Sequence, residues 1–154
     1  MSYQSDLLRG KVALITGGGT GICRGLALAL ASHGCDVAIT SRKEEHLLPT
    51  CQDIEDIGVR ALAVSGDVRD PAAVDRTVDE TIKTFGHLDI LVNGAAGNFL
   101  CLAEDLSPNG FGTVVDIDLK GTFHMCRSAF SHLKKTNGVI LNISATLHYV
   151  GTVA

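Results

Sequence analysis

The chain has 154 residues, 45% of them hydrophobic and 19% charged, which is enough to bury one sizeable core and too few for two ordinary domains. Its formal net charge of -4, without a dense run of Lys and Arg, argues against nucleic acid or an anionic membrane as the main partner and leaves a small molecule. The five cysteines, Cys23, Cys35, Cys51, Cys101 and Cys126, are odd in number and never in C-x-x-C spacing; they suit a reducing compartment and buried packing, and neither a disulfide frame nor a metal site.

The N-terminal residues MSYQSDLLRG hold no apolar signal segment, and no apolar run approaches bilayer length, so a soluble, non-secreted protein is expected. Residues 11–25, KVALITGGGTGICRG, organise the rest of the chain. Val12, Ala13, Leu14 and Ile15 predict a strand buried on both faces, and Leu26, Leu28 and Leu30 predict a helix. Between them Gly17, Gly18, Gly19 and Gly21 free the main chain of Cβ atoms, so an anion can approach it and face the helix N-terminus. Between a buried strand and an amphipathic helix, that anion reads as a dinucleotide pyrophosphate, with an ordinary tight turn as the alternative.

Residues 35–40 (CDVAIT) predict a second strand, followed by Ser41, Arg42 and Lys43 at the end that borders the ligand crevice of open α/β sheets. An acid there would accept ribose hydroxyls, whereas a guanidinium grips a 2′-phosphate in a bidentate, charge-assisted way. Arg42 therefore points to NADP, against the alternative of a solvated charge at a helix start. Residues 60–65 (RALAVS) predict a third strand ending in Gly66-Asp67-Val68-Arg69, and Pro71 opens a helix. Asp67 either contacts a ligand in the crevice or caps that helix, and spacing leaves both open.

Val74, Val78, Ile82 and Phe85 recur at helical spacing, Gly86 stops the helix, and residues 88–93 (LDILVN) predict a fourth strand. The following Gly94-Ala95-Ala96-Gly97 leaves room for something flat against the backbone, while the Asn93 amide can hold neighbouring strand ends. A helical stretch is expected from Ser107 to about His132, broken by Gly110, Gly112 and Gly121, with a polar turn over 134–138 and a fifth strand over 139–143. This alternation predicts one α/β domain over residues 1–154: a doubly wound parallel sheet with right-handed crossovers and no internal repeats.

Taken together, these motifs resemble those of the short-chain dehydrogenase/reductase family over essentially the whole chain. Thr16-Gly17-x-x-x-Gly21-Ile22 is similar to the family's TGxxxGIG cofactor loop, Asp67-Val68 to its adenine-contacting acid, and Asn93 to the start of its NNAG segment. Cys23 stands where the family has its last glycine, and its thiol is expected to tighten the helix against the strand or the cofactor. Within the family, NGAAGNFL, VVDIDLKGTF and NISATL resemble the peroxisomal 2,4-dienoyl-CoA reductases, which use NADPH to reduce a conjugated dienoyl-CoA to an enoyl-CoA.

The resemblance implies that Gly17, Gly18, Gly19, Thr20, Gly21, Ile22, Arg42, Asp67, Val68 and Asn93 serve NADPH. It implies that Arg69, Phe99, Ser107, Pro108 and Asn109 lie against the acyl-CoA, although a lone aromatic after a strand is also commonly core. Asp118, at the place of the family's catalytic asparagine, is implied to position the water that protonates the product, with a lysine of the next helix. Ala145 stands where the usual catalytic serine would be, and Ser144 is one place too early. The implied setting is a homo-oligomer in the peroxisome, or otherwise the cytoplasm, with enoyl-CoA or ketone reduction as the alternative activity.

The family's Tyr-x-x-x-Lys region is expected beyond residue 144, yet Tyr149 has no lysine after it, and Thr152-Val153-Ala154 is not a peroxisomal tripeptide. The chain therefore reads as C-terminally incomplete, truncated after the fifth strand. A non-catalytic NADP-binding fragment is the alternative for the chain itself. Its fifth strand is expected to be an unguarded apolar edge.

Overall fold

A computed structural model describes residues 6–145; Tyr149 and the three C-terminal residues lie outside them. The elements are β1 (Val12–Thr16), α1 (Gly21–Ser32), β2 (Asp36–Ser41), α2 (Glu44–Asp56), β3 (Ala61–Ser65), α3 (Pro71–Phe85), β4 (Ile90–Asn93), α4 (Pro108–Val114), a π-helical segment (Val115–Lys120), α5 (Gly121–Thr136) and β5 (Val139–Asn142). All strand pairs are parallel, in the order β3-β2-β1-β4-β5. The chain order reverses between β1 and β4, which opens a crevice at the C-terminal ends of those strands.

Every residue of β1 is buried, because strand alternation sends its side chains to two covered faces. Val12 and Leu14 join Val74, Val78, Phe85, Met125 and Leu133 on the α3/α5 side. Ala13 and Ile15 join Val37, Ile39, Leu47 and Ile54 on the α1/α2 side. The sheet is thus the middle layer of three.

The leucines of α1 are not its deepest face. Cys23, Ala27 and Ala31 are buried, while Leu26, Leu28 and Leu30 are half-buried around them. Small side chains let the helix axis come close to the sheet, and the leucines seal the sides. Only Cys23 and Cys35 among the five cysteines are buried, and none is in a disulfide, so the expectation of mostly buried thiols is corrected.

Local signals set the ends of α3. Pro71 occupies its first turn, the Asp70 side chain accepts from the Ala72 N–H, and Gly86 closes it at φ 89. The cap is therefore Asp70 rather than Asp67. The stretch expected to be helical to about His132 continues to Thr136 and ends at Asn137, in the left-handed conformation at φ 53.

β5 lies at one edge of the sheet with all four residues exposed. Val139, Ile140 and Leu141 are 58%, 41% and 47% exposed, so the expected apolar edge is present among the described residues. None of the described helices is long and apolar enough to cross a membrane.

Candidate functional site

The glycine loop after β1 is fixed from below and from the side. The Gly17 N–H donates to Thr40 O at 2.8 Å, and the Thr50 hydroxyl donates to Gly19 O at 3.2 Å. Gly17 and Gly21 hold φ of 70 and 55, a left-handed backbone that disfavours any side chain. A Cβ on Gly19 would come 2.8 Å from His46 O, so the loop presses directly on α2. Across the crevice, the Thr16 hydroxyl accepts from the N–H groups of Gly94 and Ala95 at 3.0 and 2.9 Å. One side chain on β1 thereby pins the loop that leaves β4.

These elements border a cavity of about 610 Å³, lined by Gly17, Gly19, Thr20, Gly21, Ile22, Cys23, Thr40, Ser41, Arg42, Lys43, His46, Gly66, Asp67, Val68, Gly94, Ala95, Ala96, Ile117 and Ile143. Eight of the glycine-loop, β2-end and β3-end candidates meet there: Gly17, Gly19, Thr20, Gly21, Ile22, Arg42, Asp67 and Val68. Gly18 lies behind the lining, where a Cβ would run into the Ile39 side chain. Asn93 is also behind it, 4% exposed. Its Nδ2 donates to Asn142 Oδ1 at 2.9 Å and to Cys126 Sγ at 3.2 Å, which ties β4, β5 and α5 together as the strand-end reading expected. Among the described residues its buried Oδ1 finds no partner.

Asp67 is engaged by its near neighbour. Arg69 donates from Nε to both carboxylate oxygens at 3.0 Å and from Nη2 to Oδ2 at 2.6 Å. The Arg69 hydrogen bonds hold the Asp67 carboxyl below its usual 3.8, against some desolvation and with a smaller contribution from the charge of Arg42. Asp116 adds its charge to the Arg69 surroundings and pairs with Lys120 at 2.7 Å. A cluster of cations and anions therefore borders the end of the crevice that Arg42 and Asp67 line.

The π-helical segment brings Asp118 into this neighbourhood, though not into the cavity lining. Asp118 Oδ1 accepts from the Gly97 N–H at 2.8 Å, and the Thr122 hydroxyl donates to Asp118 O at 2.7 Å. π-turns interrupt an α-helix and recur at functional sites. The segment can approach the β3 end because Gly121 has no side chain: a Cβ there would overlap Val68.

Phe99 is 48% exposed, which corrects the core alternative for it. Its ring rests on the start of α4, where a Cβ on Gly110 would come 2.8 Å from Cζ. Ser107 caps that helix by accepting from the Gly110 N–H at 3.0 Å, with Pro108 in the first turn. The structure thus groups Phe99 with Ser107, Pro108 and Asn109 beside the loop that Asp118 grips, outside the cavity lining. Cys126, His46, Ile117 and Ile143 are parts of the site's frame that sequence reasoning did not single out, and Thr16 was read there only as the first residue of the motif, not as the clamp on the loop after β4. The other four carried no signal.

Residues 11–153 match the short chain dehydrogenase family. The chain belongs to that family. A peroxisomal 2,4-dienoyl-CoA reductase of Arabidopsis thaliana is 47% identical over 97% of this chain and 53% of its own length. The enzyme of the same description from Danio rerio is 48% identical over 97% of this chain and 50% of its length. The chain therefore spans about half the length of the curated relatives it matches. Among solved structures, a short chain dehydrogenase from Burkholderia cenocepacia in complex with NADP superposes with a TM-score of 0.91 at 35% identity, over 96% of this chain and 60% of that one. An NAD+-bound xylitol dehydrogenase superposes at 0.90 and 30% identity, over 94% and 56%.

Proposed function

We propose that the full-length parent is an NADPH-dependent 2,4-dienoyl-CoA reductase acting in fatty-acid β-oxidation. The observation that carries this reading is the Asp118–Gly97 hydrogen bond at 2.8 Å in a chain whose third residue beyond β5 is Ala145, without a hydroxyl. The likeness to the Arabidopsis and Danio reductases supports it. The cavity fits a dinucleotide: Gly17 and Gly21 expose main chain at the N-terminus of α1, and Arg42 lines the far end where a 2′-phosphate would sit. Bound there, the nicotinamide supplies hydride.

The remaining steps fall to this chain's residues. Arg42 grips the phosphate, and Asp67, steadied by Arg69, faces the adenosine. Arg69, Phe99 and residues 107–109 border the acyl-CoA. Asp118, oriented by Gly97, holds the water whose proton completes reduction of one C=C bond, so hydride and proton add across the diene. A carbonyl reductase would need a hydroxyl donor at residue 145 itself, and Ser144 is one place too early; a conjugated thioester instead carries its charge on the thioester oxygen. The same likeness suggests the peroxisome. Phe123 and Phe130, 61% and 60% exposed on α5, are compatible with a homo-oligomeric parent.

For the 154-residue chain itself, a second reading is cofactor binding without turnover. The lysine expected on the next helix is not among the residues of this chain, and Lys120, two residues after Asp118, pairs with Asp116. The test is to incubate the parent and the chain separately with NADPH and a dienoyl-CoA, an enoyl-CoA or a simple ketone, following nicotinamide absorbance. Oxidation with the dienoyl-CoA alone is expected for the parent, and NADPH binding without oxidation for the chain. Oxidation with the ketone or enoyl-CoA but not the dienoyl-CoA would overturn the first reading, and dienoyl-dependent turnover by the chain the second.

A further inference from the structure

We propose that Cys23 and Gly94 form a coupled pair that sets the width of the cavity floor and through it the affinity for the dinucleotide. The inference rests on the cavity being the dinucleotide site. Cys23 lies in the first turn of α1 and is 5% exposed; Gly94 follows β4, and both line the cavity. A Cβ built on Gly94 would overlap Cys23 Sγ. Its next neighbours are Thr16 O at 3.3 Å, a tight contact that must give by a few tenths of an ångström, and Ile143 Cγ1 at 3.4 Å, the limit of ordinary contact. The sulfur therefore fills the volume that a side chain at position 94 would need.

Neither side can easily give way. The N–H groups of Gly94 and Ala95 are both held by Thr16 Oγ1, and Gly94 O stands 3.0 Å from where a Cβ on Gly17 would lie. On the other side, Ala27 and Ala31 seat α1 flush on the sheet, fully buried. Burial raises the Cys23 thiol above its usual 9.0, so the sulfur acts as neutral bulk and not as a nucleophile. Adding a methyl group at position 94 must then turn the thiol out of its slot, push the loop, and with it Ala95 and Ala96 of the cavity wall, or push the start of α1, which faces the pyrophosphate. Removing the sulfur opens the slot.

A double-mutant cycle tests this in the 154-residue chain: unsubstituted, Gly94→Ala, Cys23→Ala, and both together. NADPH dissociation constants are read by fluorescence and unfolding temperatures by calorimetry. Gly94→Ala is expected to weaken NADPH binding by about tenfold more when residue 23 is Cys than when it is Ala, with coupling of the same sign in unfolding temperature. Effects that add within about twofold would overturn the proposal. Should Gly94→Ala alone fail to fold, recovery of a folded, NADPH-binding protein in the double variant is the supporting result, and failure to recover overturns it. If the unsubstituted chain does not bind NADPH, the cofactor reading and the affinity half fall together. Coupling in unfolding temperature then decides the packing half alone.

Discussion

Asp118 and Gly97 are joined across two elements: the carboxylate of the π-helical segment accepts from the main-chain N–H of the loop after β4 at 2.8 Å. The bond fixes the carboxylate's direction while using one of its several lone-pair sites, so it can hold a water as well. Replacing Asp118 by Ala in the full-length parent is expected to reduce kcat for dienoyl-CoA about 10²- to 10⁴-fold, the usual range for a lost acid–base group. Asp118→Asn keeps an acceptor for Gly97 but not the carboxylate. If steady-state kinetics give the Asp118→Asn variant full activity, the group positions the loop and does not manage the proton.

Arg42 lines the cavity beyond the end of β2, with no acid at that strand end. One charge-assisted bidentate contact to a 2′-phosphate is worth about 1.5–3 kcal/mol, or roughly ten- to a hundred-fold in affinity. NADPH is therefore expected to outbind NADH, and Arg42→Ala to erase most of that preference. Paired NADPH and NADH titrations by fluorescence decide it, and a preference retained in the variant would assign recognition to another cation.

The Asp67–Arg69 pair has a pH signature with a definite sign. Arg69 lowers the folded-state Asp67 carboxyl below 3.8, while the unfolded value stays near ~3.9. The pair's contribution to stability is thus complete above the unfolded value and is lost as pH falls through the lower folded value, in the acid range below about pH 4. In Arg69→Ala the Asp67 carboxyl is expected to titrate higher than in the unsubstituted chain, because the side-chain hydrogen bonds and charge of Arg69 are lost while the residue-69 N–H and Arg42 remain. An NMR titration of the Asp67 carboxyl carbon reads this directly; an unchanged midpoint in the variant would show that the hydrogen bonds to Arg69 are not its cause.

β5 presents Val139, Ile140 and Leu141 at a sheet edge without a charge, proline or bulge. Such an edge offers free backbone groups and apolar side chains to another strand. The 154-residue chain is expected to self-associate, and Leu141→Lys, at a residue 47% exposed, to shift it toward monomer in size-exclusion chromatography. A monodisperse, cooperatively unfolding unsubstituted chain would show that this edge is not adhesive.

Features that depend on short stretches of chain were legible in the order of residues alone. The apolar run of β1 needs two covered faces, Gly17 and Gly21 mark backbone that a side chain would strain, and Pro71 and Gly86 bracket α3 through fixed and left-handed φ. The β/α alternation, and with it a parallel sheet with a crevice at its carboxyl ends, follows from such local periods. Pairings between residues far apart in the chain emerged only once the layers were packed. Thr16 holds Gly94 across 78 positions and Asn93 holds Asn142 across 49, and no local pattern encodes those pairings. The same holds for the small-residue face of α1, the Phe99 ring lying over Gly110, and the π-turn that aims Asp118 at Gly97. Each is settled by which side chains the packed layers leave room for, and close packing of a unique set of neighbours is a property of the whole fold.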